Sequence, residues 1–252
     1  DSVLETYNLM VNTGKVKFFR QEYMLRITSE EDKFVTKDLI RWFKTRDILK
    51  EANKYNFVIT TDFATTTSAR SDYTAIGVWA LDHLGNRYLV DGVIGRFLMS
   101  ANFQHLFRLV KKYNPMLVGI ETSGQQGAFI SLLQQEMIHR QLWFTIAKGK
   151  DSSKLGIPST LNKMERFKLT EPAWRSNKFY LPEDLKHTQL VQEIEEELNL
   201  VTKDGIKSKH DDALDMISQL EQIWLPIPST EGSFAKSIEQ EEHHDMEWIK
   251  DP

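Results

Sequence analysis

From residue 57 onwards the chain alternates short β-branched runs with helical patterns, and this order restricts the fold more than any other feature. The runs typical of strands are 57–62, 73–81, 87–93, 116–121 and 142–147. Apolar residues recur at helical spacing over 100–114 and again from Gly124 onwards. The order βββαβαβ predicts an α/β fold in which a central mixed sheet of five or more strands is flanked by helices.

The rest of the chain predicts a compact domain over 57–228. Its second half is expected to hold a helix at 161–174, a strand at 178–181 and helices at 189–200 and 211–224. Residues 1–56 mix charged and aromatic side chains without a clean period, which favours an extended lead-in that packs on something else. Residues 229–252 carry seven acidic residues against two lysines and few apolar side chains, which predicts a flexible acidic tail.

Composition excludes several kinds of site. The chain has no cysteine, so disulfides, thiolate zinc sites, iron–sulfur clusters and cysteine nucleophiles are ruled out. Its seven histidines show no zinc spacing, which leaves carboxylates as the candidate metal ligands. No apolar run approaches the roughly 20 residues of a membrane-spanning helix, and the N-terminus has no signal-peptide pattern. We therefore expect a soluble, intracellular protein with no membrane partner.

Two predicted strands end in a carboxylate. The first three strands form an antiparallel meander, which leaves one edge of the first strand free for the strand that returns from the helix. Asp62 ends the first of these neighbours and Glu121 ends the second. Because adjacent strands lie roughly 4.8 Å apart, both acids are expected in one crevice where the strand order reverses. Like charges that close need a cation between them.

A third group of acids, within Lys209–Asp215, begins the last predicted helix. On a helical wheel Asp212 borders the apolar half and Asp215 lies midway round the polar side, so Asp212 is better placed to reach the sheet. Asp211 fits helix capping and metal ligation equally well. Taken singly, each acid also has a structural explanation, but their joint placement is much harder to explain in that way. Three or four carboxylates supported by His210 suit Mg²⁺ or Mn²⁺, and two such ions suit phosphodiester hydrolysis.

Basic residues concentrate at 145–180, where eight lysines and arginines stand against three acids. The candidates for binding DNA phosphates are Lys148, Lys150, Lys154, Lys163 and Arg166. A solvated basic surface explains the same pattern equally well.

These features together resemble the ribonuclease H-like superfamily, and within it the C-terminal nuclease domain of the large terminase subunit of tailed bacteriophages. The resemblance covers roughly residues 18–224. It rests on Phe19–Tyr23, Asp62–Ala64 with Asp72–Ala75, Glu121 and Thr122 before a glycine-started helix, Lys163 with Arg166, and Lys209–Asp215. The first of these segments is similar to the one that joins the ATPase of that family to its nuclease.

The resemblance implies both a site and an activity. The implied residues are a metal-binding catalytic triad of Asp62, Glu121 and Asp212, a further ligand Asp211, and the auxiliary residues His210 and Asp215. The implied activity is that of a Mg²⁺- or Mn²⁺-dependent endonuclease with little sequence preference. It would use two ions to cut concatemeric viral double-stranded DNA during packaging into procapsids.

Partners and location follow from the same resemblance. The implied partners are double-stranded DNA, the portal ring, the small terminase subunit and an ATPase domain of the same polypeptide. The implied location is the cytoplasm of the infected bacterial host, outside the mature virion. Because the chain lacks Gly-x-x-x-x-Gly-Lys-Ser/Thr, we expect no ATP site in it and interpret residues 1–56 as the linker from a missing ATPase domain.

Two other functions stay open. The first is a junction-resolving nuclease of the RuvC type, or a transposase, on the same fold. The long lead-in and the lack of dimer-specific signals disfavour it, and a strong preference for four-way junctions over linear duplex would support it. The second is a non-catalytic module that docks on portal or DNA, which would bind without Mn²⁺-dependent strand breaks.

Overall fold

A seven-stranded mixed sheet forms the centre of the domain. The computed structural model describes residues 33–64, 73–122, 127–203, 205–208 and 210–230. The strands are β1 (Arg41–Phe43), β2 (Asn56–Asp62), β3 (Thr74–Leu81), β4 (Arg87–Gly95), β5 (Leu117–Thr122), β6 (Ile157–Pro158) and β7 (Phe179–Pro182). Their spatial order is β1-β7-β4-β3-β2-β5-β6. A separate hairpin pairs β8 (Val201–Thr202) with β9 (Gly205–Ile206). The predicted α/β class with a mixed central sheet is confirmed.

Helices cover both faces of this sheet. They are α1 (Thr45–Lys50), α2 (Met99–Tyr113), α3 (Gly127–Arg140), α4 (Lys163–Lys168), α5 (Glu171–Arg175), α6 (Gln189–Leu200) and α7 (Asp212–Gln222). Apolar side chains of α2 and α3 pack with Ile59 and Ile76 on one face, and those of α6 and α7 pack with Val58 and Trp79 on the other. All eight residues of β3 are buried, as expected of a strand covered on both sides. No helix in the described part of the chain is long and apolar enough to cross a membrane.

The pairing of the central strands positions the candidate site. β2, β3 and β4 form the predicted antiparallel meander, and β5 joins the free edge of β2 in parallel. The register pairs Thr61 with Ile120. The next residue on each strand is Asp62 or Glu121, so the two acids lie side by side at the carboxyl ends of their strands, as predicted.

Two predicted elements are wrong in detail. Residues 142–147 do not form a continuous strand, because the pairing with β5 is limited to a bridge between Ile146 and Val118 before β6 takes over this edge. The helix predicted at 161–174 is two short helices, α4 and α5, since Pro172 stands at the start of the second. The strand predicted at 178–181 is β7, shifted by one residue.

The outer parts of the chain are only partly described. Within the predicted lead-in, Arg41–Phe43 forms an edge strand that pairs in parallel with β7. The division of the chain at residue 57, the linker interpretation and the flexible tail stay predictions. The parts of the motifs and of the tail outside the described residues are Phe19–Tyr23, Asp72, Gly124, Lys209 and 231–252.

Candidate active site

Three chain segments bring carboxylates to one end of the sheet. Asp62 ends β2, and Glu121 lies near the end of β5. Helix α7 packs across β2, β3 and β5, and its first turn, with the residue before it, carries Asp211, Asp212 and Asp215. The cluster thus combines the two strand ends that the topology predicts with the start of the last helix.

Two cations of α4 enter this cluster. The Arg166 guanidinium bridges Glu121 and Asp215, with a nitrogen 2.9 Å from Asp215 Oδ1. Its side chain is only 4% exposed. The Lys163 ammonium lies 2.5 Å from Asp211 Oδ1 and 3.3 Å from Asp215 Oδ2. Although burial alone would lower the pKa of Lys163, its hydrogen bond to Asp211 and the charge of Asp215 raise that pKa overall. Whether these two residues also bind DNA stays a prediction.

Asp62 forms no ion pair with either cation among the described residues, although the charge of Lys163 acts on it from a distance and lowers its pKa. No hydrogen bond within the described residues ends on its side chain. Burial raises the pKa of Asp62 well above its ordinary value, and the charges of Asp215, Glu121 and Asp212 raise it further. A carboxylate in such surroundings is stabilised by a nearby cation.

Asp215 lies in the centre of the cluster, which corrects its placement on the helical wheel. The residue is 4% exposed rather than on an open polar side. The reason is that α7 is covered by α4 and α6 as well as by the sheet. Burial raises the pKa of Asp215 to about 6, although Arg166 and Lys163 act in the opposite direction.

Asp212 is buried beside an aromatic stack. The Tyr73 backbone N–H donates to Asp212 Oδ2 at 3.2 Å. The Tyr73 ring stacks on His210 with centroids 4.7 Å apart, and the Arg96 guanidinium lies 4.7 Å from the centroid of the same Tyr73 ring. His210 Nδ1 is buried 3.9 Å from Asp212 Oδ2 and has no hydrogen-bond partner among the described residues. The stack therefore fixes the surroundings of Asp212, which suits the auxiliary role predicted for His210.

A residue that sequence reasoning missed, Glu197, caps α7. Asp211 stands at the N-cap but makes no side-chain cap hydrogen bond. Instead, the fully buried carboxylate of Glu197 on α6 accepts the backbone N–H of Leu214 at 2.9 Å and that of Ala213 at 3.4 Å. The prediction that the Asp211 side chain caps this helix is thus wrong. The missed signal was available, since Glu197 occupies the apolar stripe of its helix, seven residues after Leu190.

Glu197 makes the stability of the chain depend on pH. Burial raises the pKa of Glu197 to about 8. The hydrogen bonds from the two backbone amides lower this pKa, and the charges of Asp212 and Asp211 raise it. Because this value exceeds the ordinary one, the folded chain binds more protons than the unfolded chain, and stability falls as pH rises towards 8. We expect the Tm to fall by roughly 5 °C more between pH 6 and pH 9 in the wild type than in Glu197→Gln.

Differential scanning fluorimetry at the two pH values measures this difference. Glu193→Gln is the matched control, since that residue lies one turn earlier on the same helix and is partly exposed. It should reproduce the pH dependence of the wild type. Equal pH dependence of the wild type and Glu197→Gln would contradict the raised pKa.

The predicted lysine cluster lies in the segment before β6, and part of it is distant from the acids of α7. The Lys150 backbone N–H donates to Gln222 O at the far end of α7, and the neighbouring Gly149 bridges to Ile223. Since α7 rises 1.5 Å per residue, Gly149 and Lys150 lie about 15 Å from the first turn of the helix. Lys148 lies closer to Glu121, because it bridges to Gly156 and the next residue, Ile157, pairs with Glu121. The role of Lys148, Lys150 and Lys154 in DNA binding stays a prediction.

The donor chemistry fits a divalent cation, but the ligands are not gathered around one point. Among the residues that the structure describes, no group of three or more histidines and acids has the arrangement of a metal site. The reason is visible in the ion pairs, because Arg166 and Lys163 hold Glu121, Asp211 and Asp215. Asp62, whose pKa is raised by burial and by the neighbouring acids, and the carboxylate donors nevertheless match the preference of Mg²⁺ and Mn²⁺ for oxygen ligands.

Comparison with known proteins agrees with this architecture. A family model described as a terminase RNaseH-like domain matches residues 59–220. The human cytomegalovirus terminase nuclease domain, in a manganese-soaked and inhibitor-bound structure, gives a TM-score of 0.50 at 11% identity, over 74% of this chain and 94% of that one. No curated protein matches the sequence.

Two further structures match this chain with lower TM-scores. The large terminase nuclease of thermophilic phage G20c, with bound zinc, gives a TM-score of 0.43 at 16% identity, over 65% of this chain and 78% of that one. A yeast mitochondrial Holliday junction resolvase gives a TM-score of 0.39 at 10% identity, over 71% of this chain and 83% of that one.

Proposed function

The chain belongs to the terminase RNaseH-like domain family, and from that membership we propose that it is an endonuclease that hydrolyses DNA with Mg²⁺ or Mn²⁺. The observation that carries the proposal is the meeting of Asp62, Glu121 and the acidic first turn of α7 at one end of the sheet. The cytomegalovirus terminase nuclease domain, a structural neighbour of this chain, was soaked with manganese. This supports a divalent cation here.

In the proposed mechanism, Asp62, Glu121 and Asp212 would hold two metal ions. Asp211 would be a further ligand, and we add Asp215 because it is buried in the same cluster and shares the Arg166 guanidinium with Glu121. When bound, the ions supply Lewis-acid stabilisation of the phosphodiester and lower the pKa of water.

The other residues of the site position these ligands and supply positive charge. The Tyr73 amide keeps Asp212 in place, and His210 stacks on the ring of the same Tyr73. Lys163, whose side chain is half exposed, balances the acids and is available to a phosphate at the rim of the site. Arg166, which is almost fully buried, acts on Glu121 and Asp215.

The proposed substrate is double-stranded viral DNA with little sequence specificity, cut from concatemers during packaging. The separation of about 15 Å between the first turn of α7 and Lys150 is less than one turn of duplex, roughly 34 Å. One duplex can therefore contact both, and lysines bind phosphates without reading sequence. The proposed partners are an ATPase domain of the same polypeptide, the portal ring and the small terminase subunit, and the proposed location is the cytoplasm of an infected bacterium.

Supercoiled-plasmid cleavage tests this function. We expect nicked and linear products with Mg²⁺ or Mn²⁺ and none with EDTA, at similar rates on plasmids of unrelated sequence. Four-way junctions and linear duplex are compared in the same assay. A strong preference for the junction would favour a resolvase, and DNA binding without strand breaks under either metal would favour a docking module.

A further inference from the structure

Gln219 forms an unusual contact between α7 and the sheet. The residue is fully buried and lies one turn beyond Asp215. Its side-chain amide pairs with the backbone of a single residue, Thr61: Nε2 donates to Thr61 O, and Oε1 accepts the Thr61 N–H at 3.2 Å. Because the amide is planar and carries both a donor and an acceptor, it fixes α7 against β2 in position and in orientation.

This contact lies where all three acid-bearing segments meet. Thr61 directly precedes Asp62, and its hydroxyl donates to Gly119 O at 2.8 Å. Gly119 in turn lies two residues before Glu121 on β5. A Cβ atom at Gly119 would stand 2.9 Å from Gln219 Oε1, so the close approach of β5 to the amide requires glycine. One side chain therefore contacts β2, approaches β5 and belongs to α7.

The chemistry of the contact singles out glutamine. Glutamate has the same length but carries no donor for Thr61 O, and methionine has the same length but neither a donor nor a strong acceptor. Asparagine is one methylene shorter. Since Thr61 is fully buried, an unpaired backbone group there has no water to replace the amide.

We propose that Gln219 is a positioning residue that sets the separation between Asp215 on α7 and Asp62 on β2, and thereby the affinity of the site for its metal. The inference rests on the proposed function, because it assumes that these acids bind a divalent cation. Gln219 does not contact the metal or the DNA in this role. It acts through Thr61 and through its own helix, since sites of this kind need their ligands held within about half an ångström.

The test compares Gln219→Met with Gln222→Met in the full chain. Gln222 is the matched control, because it lies three residues later on the same helix and its amide donates within the helix, to Ser218 Oγ at 3.3 Å. Mn²⁺ affinity is measured by isothermal titration calorimetry without DNA, and kcat and KM are measured on plasmid. We expect Gln219→Met to raise the Mn²⁺ Kd about tenfold and to lower kcat with little change in KM. Gln222→Met should stay within twofold of the wild type.

A second variant approaches the contact from β5. Gly119→Ala keeps the glutamine at position 219 but adds a methyl group against its Oε1. We expect this variant, like Gln219→Met, to raise the Mn²⁺ Kd. If Gln219→Met fails to fold, Gly119→Ala still tests whether Gln219 positions the ligands. Wild-type Kd and kcat in the folded variants would overturn the positioning role alone. A wild-type chain that binds no Mn²⁺ would overturn the proposed function and this inference with it.

Discussion

Asp62→Asn is expected to abolish metal-dependent cleavage and, at the same time, to stabilise the metal-free chain. Asparagine has nearly the same shape as aspartate but carries no charge. In the folded chain, burial and the charges of Asp215, Glu121 and Asp212 raise the pKa of Asp62 well above its ordinary value. The ionised carboxylate therefore opposes folding at neutral pH, and its removal should raise the Tm by several degrees. Cleavage should fall by roughly a thousandfold or more, as when an essential catalytic group is lost.

Plasmid cleavage with Mn²⁺ and thermal denaturation in EDTA check the two halves of this prediction. Asp184→Asn is the control, because the pKa of Asp184 is lowered in the folded chain whereas that of Asp62 is raised. Although burial works against it, hydrogen bonds from Thr45 lower the pKa of Asp184, so its carboxylate favours folding. That variant should cut normally and gain no stability. An Asp62→Asn chain that cuts at the wild-type rate, or that melts earlier than the wild type in EDTA, would contradict the prediction.

The sheet and two of its acids were predictable from the sequence. Strand periodicity and turn residues locate β2 to β5, and the handedness and shortness of connections place β5 beside β2. Asp62 and Glu121 then become neighbours with no further information, because both follow buried runs of similar length. The predictable part of the site is the part determined by local pattern and by adjacent strands.

The surroundings of α7 were not predictable in this way. A helical wheel assumes one apolar environment on one side, whereas α7 contacts the sheet, α4 and α6. This is why Asp215 is buried with Arg166, and why Glu197 replaces a local cap. Both features depend on where α4 and α6 pack, and no spacing within a single segment reports that.

The basic residues show the same limit. All five candidates stand close together in the sequence, yet Arg166 and Lys163 turn into the acid cluster while Lys150 lies at the far end of α7. The path of the chain between the lysine loop and α4, through β6, separates the two groups. Charge along the sequence therefore indicated a basic surface but not which of its members neutralise the site.

Arg166→Met is expected to destabilise the metal-free chain strongly and to make its stability depend on Mn²⁺. The guanidinium is almost fully buried between Glu121 and Asp215. Removing one partner of a buried ion pair typically costs about 3–5 kcal/mol, because it leaves a buried charge uncompensated. For a domain of this size that corresponds to a fall in Tm of about 10 °C in EDTA. Methionine keeps most of the side-chain length, so the loss of charge dominates over the loss of packing.

The metal response distinguishes this prediction from a simple packing defect. In the wild type, Arg166 neutralises the acids that we propose as ligands. A metal ion should therefore bind the wild type less tightly than it binds the variant. Mn²⁺ should therefore raise the Tm of Arg166→Met more than that of the wild type, because a ligand that binds only the folded chain stabilises it more when it binds more tightly. Arg175→Met, which breaks an exposed pair with Glu171, is the control and should change the Tm little with or without metal. Suppose that Arg166→Met has the same low Tm in EDTA and in Mn²⁺. A metal ion then does not take the place of the Arg166 guanidinium at Glu121 and Asp215, and Arg166 stabilises the fold alone.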